Sequence, residues 1–178
     1  VDASVFGPIS VAYSKQVKRN AEGFKSKTSI LDGEWVVDTD ATLKFWSEHI
    51  PAKRLKQYKS FAAEGLKSYD QIQFNNGRMV FLTEKTVEIL QSVPRGRYGV
   101  AAGAQQFVDS ATHENGFEMT LIGKDVMLLV DSRRQFVGLY RRKLKKGNAS
   151  EPIDTQELRF SKMAKALTQP YRQVARAP

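Results

Sequence analysis

The feature that most constrains this chain is a series of short apolar runs, separated by turn residues, between Gly33 and Arg142. Within these runs apolar and polar side chains alternate, which is typical of strands with one buried face. The clearest pair of runs flanks Asn76-Gly77, a dipeptide that favours a tight β-hairpin turn. Turn residues recur about every ten residues, so the sequence predicts an antiparallel meander of about eight or nine strands that closes into a barrel.

We predict a mainly β (α+β) fold whose strands lie at Gly33–Asp38, Ile72–Phe74, Met79–Leu82, Thr86–Val93, Arg97–Ala101, Gln105–Ser110, Phe117–Ile122, Val126–Asp131 and Phe136–Arg142. After the first strand, Asp38 has the chemistry of a helix N-cap. Apolar residues then recur at helical spacing on both sides of Pro51, which predicts two helices over about residues 40–68.

The two ends of the chain complete the predicted organisation. Residues 1–30, in which Gly7-Pro8 reads as a breaker, are expected to form an N-terminal arm, extended or a short edge strand. Residues 31–143 form the barrel domain, and residues 144–178 form a C-terminal tail. In the tail, Phe160, Met163 and Leu167 share one helical face, which predicts a basic amphipathic helix.

The positive charge of the chain is concentrated at one end. The 178 residues carry a net charge of +9, but residues 141–178 hold ten basic and three acidic side chains. That segment therefore contributes +7, and residues 1–140 contribute only +2. We conclude that the high isoelectric point describes the tail and not the folded body, so it does not by itself indicate a nucleic-acid-binding protein.

The composition excludes several kinds of chemistry. The chain contains no cysteine, which excludes disulfide frameworks, zinc–thiolate sites, iron–sulfur clusters and thiol nucleophiles. It contains two histidines, His49 and His113, and His113-Glu114 has the character of a solvated turn. No stretch has the length of an apolar membrane span. We expect no catalytic residues, no metal and no cofactor, and binding is favoured over catalysis.

Five motifs occur in a characteristic order, namely Gly33-Glu34-Trp35, Asp38 to Thr42, Ile72 to Leu82, Gly96-Arg97-Tyr98-Gly99 and Tyr140-Arg141-Arg142. In this order they resemble the motifs of small exported lipocalin-like domains of bacteria, over about residues 31–143. The resemblance implies that Trp35 closes one end of the barrel beneath Arg141 or Arg142, through cation–π packing. The chain departs from the pattern at Tyr98, where a tryptophan is expected, and in its larger helical insertion.

Two sets of candidate binding residues follow. The resemblance implies a small apolar ligand, and alternate positions in the strands are candidates to line its cavity: Trp35, Phe74, Met79, Phe81, Phe117, Met119, Leu121, Met127 and Leu129. The alternative is a packed core, because an eight-stranded barrel is only just wide enough to be filled by its own side chains. Candidates for binding a polyanion or a membrane are Arg141, Arg142, Lys143, Lys145, Lys146, Arg159, Lys162 and Lys165.

The tail has three interpretations. Its basic residues bind an anionic membrane, or they bind nucleic acid, or its apolar face packs on the barrel and its charges face water. Aromatic residues suited to base stacking are sparse there, so nucleic acid is not the expected partner.

The sequence thus predicts a non-enzymatic, exported lipocalin-like domain that binds a small apolar ligand or acts in the cell envelope. The alternative is an interaction module whose basic tail binds a polyanion, an anionic membrane or a partner protein. The chain opens Val1-Asp2-Ala3-Ser4, without methionine, which fits either a mature exported protein or a trimmed N-terminus. We expect a periplasmic or other exported location, with the cytoplasm left open.

Overall fold

The computed structural model describes residues 3–20, 28–82, 87–93, 103–109, 115–131, 135–143, 160 and 162–165. The predicted barrel is confirmed: eight antiparallel strands pair in chain order and the last returns to the first. The strands are β1 (Gly33–Val37), β2 (Gln71–Asn75), β3 (Arg78–Leu82), β4 (Val87–Ser92), β5 (Gln105–Val108), β6 (Asn115–Leu121), β7 (Val126–Asp131) and β8 (Phe136–Arg142).

Three helices accompany the barrel, namely α1 (Ala3–Arg19), α2 (Thr39–His49) and α3 (Ala52–Ser68). Helices α2 and α3 lie between β1 and β2 in the chain. Asp38 caps α2, because its carboxylate accepts a hydrogen bond of 2.9 Å from the backbone N–H of Ala41. Pro51 separates the two helices, and its carbonyl accepts the first backbone hydrogen bonds of α3.

Several sequence predictions fall outside the described residues. These are the strand at Arg97–Ala101, the turn containing His113, the linker between barrel and tail, and all of the tail helix except residue 160 and residues 162–165. Those five tail residues are helical.

The N-terminal prediction is wrong. An extended arm or edge strand is expected over residues 1–30, but Ala3–Arg19 is an α-helix with Pro8 inside it. Pro8 is the sixth residue of this helix, beyond the first turn in which proline is best tolerated, and its missing N–H costs the helix one backbone hydrogen bond. The apolar residues Ile9, Tyr13 and Val17, each buried, follow a helical spacing that predicts this helix more reliably than Gly7-Pro8 excludes it.

Alternation along the strands separates an inner from an outer face of the barrel. On β2 and β3, Ile72 and Phe74 pair with Phe81 and Met79, and these four side chains point inwards and are buried. The connecting turn has φ angles of 52° at Asn76 and 77° at Gly77, the left-handed conformation that the Asn-Gly pair accommodates easily.

Barrel closure between β1 and β8 involves more than strand pairing. Strand β1 pairs with β8 at three positions, from Arg142 to Tyr140, and the preceding part of β8 has no strand beside it on that edge. Side chains of α2 and α3 bind this edge instead. The indole N–H of Trp46 donates to the carbonyl of Val137 at 2.7 Å. The hydroxyl of Tyr58 donates to the carbonyl of Gln135 at 2.9 Å. The helices therefore satisfy backbone groups that a longer β1 would otherwise bind.

Helix α1 packs on the outside of β6. The hydroxyl of Tyr13 donates to Glu118 at 3.1 Å, and the amide of Asn20 donates to the carbonyl of Leu121 at 3.1 Å. Gly103, just before β5, permits this packing, because a Cβ there would lie 2.0 Å from the carbonyl oxygen of Val17. The last turn of α1 and the start of β5 thus approach each other backbone to backbone.

The burial of Glu118 makes a testable contribution to the pH dependence of the stability of the fold. Burial raises the pKa of Glu118, and the hydrogen bond from Tyr13 only partly opposes this rise. A carboxyl whose native pKa lies above its unfolded value stabilises the fold at low pH and loses that contribution as the pH rises through the native pKa. We therefore expect Glu118→Gln, which keeps an acceptor for Tyr13, to raise the free energy of unfolding at about pH 7 by on the order of 0.5 kcal/mol, since solvent screens this half-buried group.

Urea unfolding of Glu118→Gln and the parent protein at about pH 7 and pH 4 checks this, because the difference should shrink at the lower pH. Tyr13→Phe serves as the control, since it removes the donor and should destabilise the protein. A Glu118→Gln variant that is less stable than the parent at neutral pH would contradict the assignment.

Candidate functional site

Arg142 closes the end of the barrel at which β1 begins, which we call the Arg142 end. Its guanidinium carbon lies 4.4 Å from the centroid of the Trp35 ring, and Trp35 is fully buried. The same guanidinium donates to the carbonyls of Asp32 at 2.5 Å and Ile30 at 2.8 Å, and it pairs with the carboxylate of Asp125 at 3.1 Å. The predicted cation–π contact is confirmed for Arg142, which joins the start of β1 to the turn between β6 and β7.

Arg141 has a different role, because neighbouring residues of a strand point to opposite faces. It lies on the outer face and forms a short ion pair with Asp38. The backbone N–H of Ala41 and then the guanidinium of Arg141 lower the pKa of Asp38. Asp38, Asp40 and Arg141 border an open depression of about 320 Å³ beside the start of α2. Since Asp38 is already engaged by the helix and by Arg141, this depression carries no free carboxylate pair for acid–base chemistry.

The nine candidate cavity residues all belong to the buried core, and none is more than 6% exposed. Near the Arg142 end, the rings of Phe74 and Phe107 lie 5.2 Å apart and connect β2 with β5 across the interior. At the opposite end, Tyr69 contacts Phe81 at 5.3 Å and Phe117 at 4.8 Å between ring centroids. All nine candidates belong to one hydrophobic cluster of buried residues. The small-ligand cavity stays a prediction.

Tyr69 and Tyr140 provide the polar contacts of this second end. The hydroxyl of Tyr140 donates to the carbonyl of Tyr69 at 2.5 Å, and burial raises the pKa of Tyr140 well above its usual value. The hydroxyl of Tyr69 donates to the carboxylate of Asp131 at 3.4 Å. These two hydroxyl groups inside the barrel are thus occupied by the protein itself, as buried polar groups generally are.

The described part of the tail lies against the outside of β3 and β4. Phe160 is 2% exposed and Met163 is fully buried, and both cluster with Val80 and Ile89. The ammonium group of Lys143 lies 4.9 Å from the centroid of the Phe160 ring. Lys162 and Lys165 are exposed on the other side of the segment. Phe160 and Met163, the two apolar tail residues of this cluster, are therefore covered by the barrel.

The remaining candidates divide between the described and undescribed parts of the chain. Lys143 forms a 4.0 Å ion pair with Glu34, whereas Lys145, Lys146 and Arg159 lie outside the described residues. Sequence reasoning does not identify Asp32 and Asp125 as partners of Arg142, because turn residues carry no local signal of a contact so distant in the chain. Within the described ranges, no three acidic or histidine side chains are arranged to hold a metal ion, and no helix has the length and apolarity to cross a membrane.

Comparison with known proteins provides no relative from which a function can be transferred. No protein-family model matches the chain, and neither a curated protein nor a solved structure shows significant similarity to it.

Proposed function

We propose that this chain is a non-enzymatic, exported lipocalin-like domain that acts as an interaction module and binds a polyanion through its basic tail. The sequential eight-stranded barrel supports the lipocalin-like assignment. So does the stacking of Arg142 on Trp35, which is the contact that the family resemblance implies. We include in this proposal a periplasmic or other exported location.

Ring contacts inside the barrel favour a function at the surface. Rings from β2, β3, β5 and β6 meet across the barrel, so a ligand of comparable size has to displace side chains that already contact one another. Displacing well-packed core side chains costs free energy, because the dispersion attraction between them is given up. A barrel whose inner aromatic rings already contact one another is better suited to presenting an outer surface than to enclosing a small molecule.

The observation that carries the proposal is the docking of Phe160 and Met163 on the barrel. Because these two side chains are buried against the barrel, they are not available to insert into a bilayer. Its exposed basic side chains, among them Lys162, remain able to form salt-dependent contacts with an anionic polymer. The tail is therefore anchored at its apolar side and presents charge at the other.

Heparin serves as the test polyanion. We expect Arg159→Gln/Lys162→Gln to weaken heparin binding and to reduce the slope of log affinity against log salt by about 2, which is about 1 for each basic side chain replaced. Titration calorimetry at several salt concentrations measures both quantities. Substitution is preferable to deletion of residues 144–178, because deletion would also remove Phe160 and Met163 and uncover Val80 and Ile89.

The matched control is Lys44→Gln/Lys124→Gln, which removes the same charge from exposed positions outside the tail. In this control the slope of log affinity against log salt should change by less than about 0.5, because only the small effect of net charge remains. An equal reduction of the slope in both double variants would show that net charge alone governs binding. An unchanged heparin affinity in Arg159→Gln/Lys162→Gln would refute the proposal.

A further inference from the structure

Helices α1 and α3 carry a large excess of basic over acidic side chains. Together they hold one acidic residue, Glu64, and eight basic residues, giving the two helices a net charge of +7: Lys15, Lys18, Arg19, Lys53, Arg54, Lys56, Lys59 and Lys67. Since residues 1–140 carry only +2, the rest of that segment carries −5. The near-neutral body is thus strongly polarised, with basic helices and an acidic remainder.

The fold brings these two helices together. Helix α1 contacts both α2 and α3, although more than thirty residues separate α1 from α3 in the chain. Lys15 and Lys18 are exposed on α1, and Lys53, Lys56 and Lys67 are exposed on α3. Among the described residues none of these five lysines forms an ion pair, and Glu64 instead accepts a hydrogen bond from Ser68. These five lysines therefore present charge to solvent that no described acidic side chain pairs with.

Exposed apolar side chains accompany this charge. Val11 is 54% exposed. Lys15 follows it by one turn and Lys18 by two turns, so the three residues share one face of α1. Phe61, on α3, is 43% exposed. The main apolar faces of α1 and α3 are buried in the protein core, so these helices would bind a membrane chiefly through their charge. In the described parts of the two helices, Val11 and Phe61 are the large apolar side chains that they leave exposed to enter the interface.

The same residues favour a lipid surface over a nucleic acid. Six of the eight basic residues are lysines, which act as point charges in a diffuse field, whereas arginine has the planar fork that binds single phosphates in a bidentate manner. Binding of single strands also uses successive aromatic platforms for base stacking. Among the described residues of α1 and α3, Phe61 is the one strongly exposed aromatic side chain.

We propose that the outer face of α1 and α3, which we call the helical face, docks on an anionic lipid bilayer through its lysines, with Val11 and Phe61 at the apolar boundary. This surface is separate from the tail, because α1 packs on β6 whereas Phe160 and Met163 pack on β3 and β4. The proposal does not depend on polyanion binding by the tail.

Sedimentation with vesicles of phosphatidylcholine, with and without about 30% phosphatidylglycerol, tests this proposal. The full chain should bind the anionic vesicles and not the neutral ones, and added salt should release it. Lys53→Gln/Lys56→Gln should lower the partition coefficient about 30-fold, which corresponds to about 1 kcal/mol for each lysine. Phe61→Ser should weaken binding further without a change in the circular dichroism spectrum.

The matched controls separate the helical face from net charge and from the tail. Lys44→Gln/Lys124→Gln removes the same charge elsewhere and should change the partition coefficient less than about 3-fold. Arg159→Gln/Lys162→Gln, which tests the tail, should keep vesicle binding. Loss of binding in either control equal to that in Lys53→Gln/Lys56→Gln would overturn the proposal. Tighter binding to single-stranded RNA than to the anionic vesicles at the same salt concentration would also overturn it.

Discussion

Replacement of Trp46 by alanine is expected to lower the free energy of unfolding by about 3–5 kcal/mol. Trp46 is fully buried, and its ring meets the edges of Tyr58 at 5.0 Å and Phe136 at 6.2 Å. Truncation removes these contacts and leaves a cavity between α2 and β8. It also removes the donor to the carbonyl of Val137, which lies on the part of β8 that β1 does not reach.

Trp46→Phe separates the two contributions. Phenylalanine retains much of the apolar contact but has no N–H, so the Val137 carbonyl is left without its partner at an expected cost of about 1–3 kcal/mol. Urea unfolding followed by far-ultraviolet circular dichroism measures both variants. Phe45→Ala is a control on the same helix, because Phe45 is only half-buried and should cost about 1 kcal/mol. A Trp46→Phe variant as stable as the parent would show that the hydrogen bond to β8 contributes nothing.

Arg142 should show the second large effect. We expect Arg142→Met to lower the free energy of unfolding by about 3 kcal/mol, because it removes charge-assisted hydrogen bonds to the carbonyls of Asp32 and Ile30, the ion pair with Asp125 and the stacking on the Trp35 ring. Arg142→Lys should recover little of this stability, since an ammonium group cannot bind several acceptors in one plane while it stacks on the indole.

The neighbouring residue provides the control for Arg142. The side chain of Arg141 is 61% exposed and pairs with Asp38 on the outer face, so Arg141→Met should cost less than about 1 kcal/mol. Thermal unfolding of the three variants gives the comparison. Equal destabilisation by Arg141→Met and Arg142→Met, or full stability of Arg142→Lys, would contradict the role assigned to the guanidinium of Arg142.

The sequence predicts the strands well because strand periodicity and turn chemistry are local. The predicted bounds of β7 and β8 agree with the structure residue for residue, and the Asn76-Gly77 hairpin is present. The sequence prediction misses helix α1, because it gives Gly7-Pro8 more weight than the helical spacing of Ile9, Tyr13 and Val17. The helix accommodates Pro8 in its second turn at the cost of one backbone hydrogen bond, so the spacing is the better guide.

The sequence predicts the candidate sites less well than it predicts the strands. The sequence offers Arg141 and Arg142 equally as partners of Trp35, and only the register of β8 against β1 places Arg142 on the inner face. The apolar positions of the strands are equally compatible with a cavity and with a core. The ring contacts of Phe74 with Phe107 and of Phe81 with Phe117 depend on how far the walls of the barrel approach, and no local pattern encodes that distance.

By itself, the sequence determined the barrel strands, the cap at Asp38, the absence of cysteine chemistry and the basic character of the tail, because each depends on residues close together in the chain or on composition alone. The tertiary structure decided which arginine closes the barrel, how Trp46 and Tyr58 complete the edge of β8, where Phe160 and Met163 dock, and that α1 packs against α3. These features depend on strand register and on contacts between distant segments, which form only when the whole chain is packed.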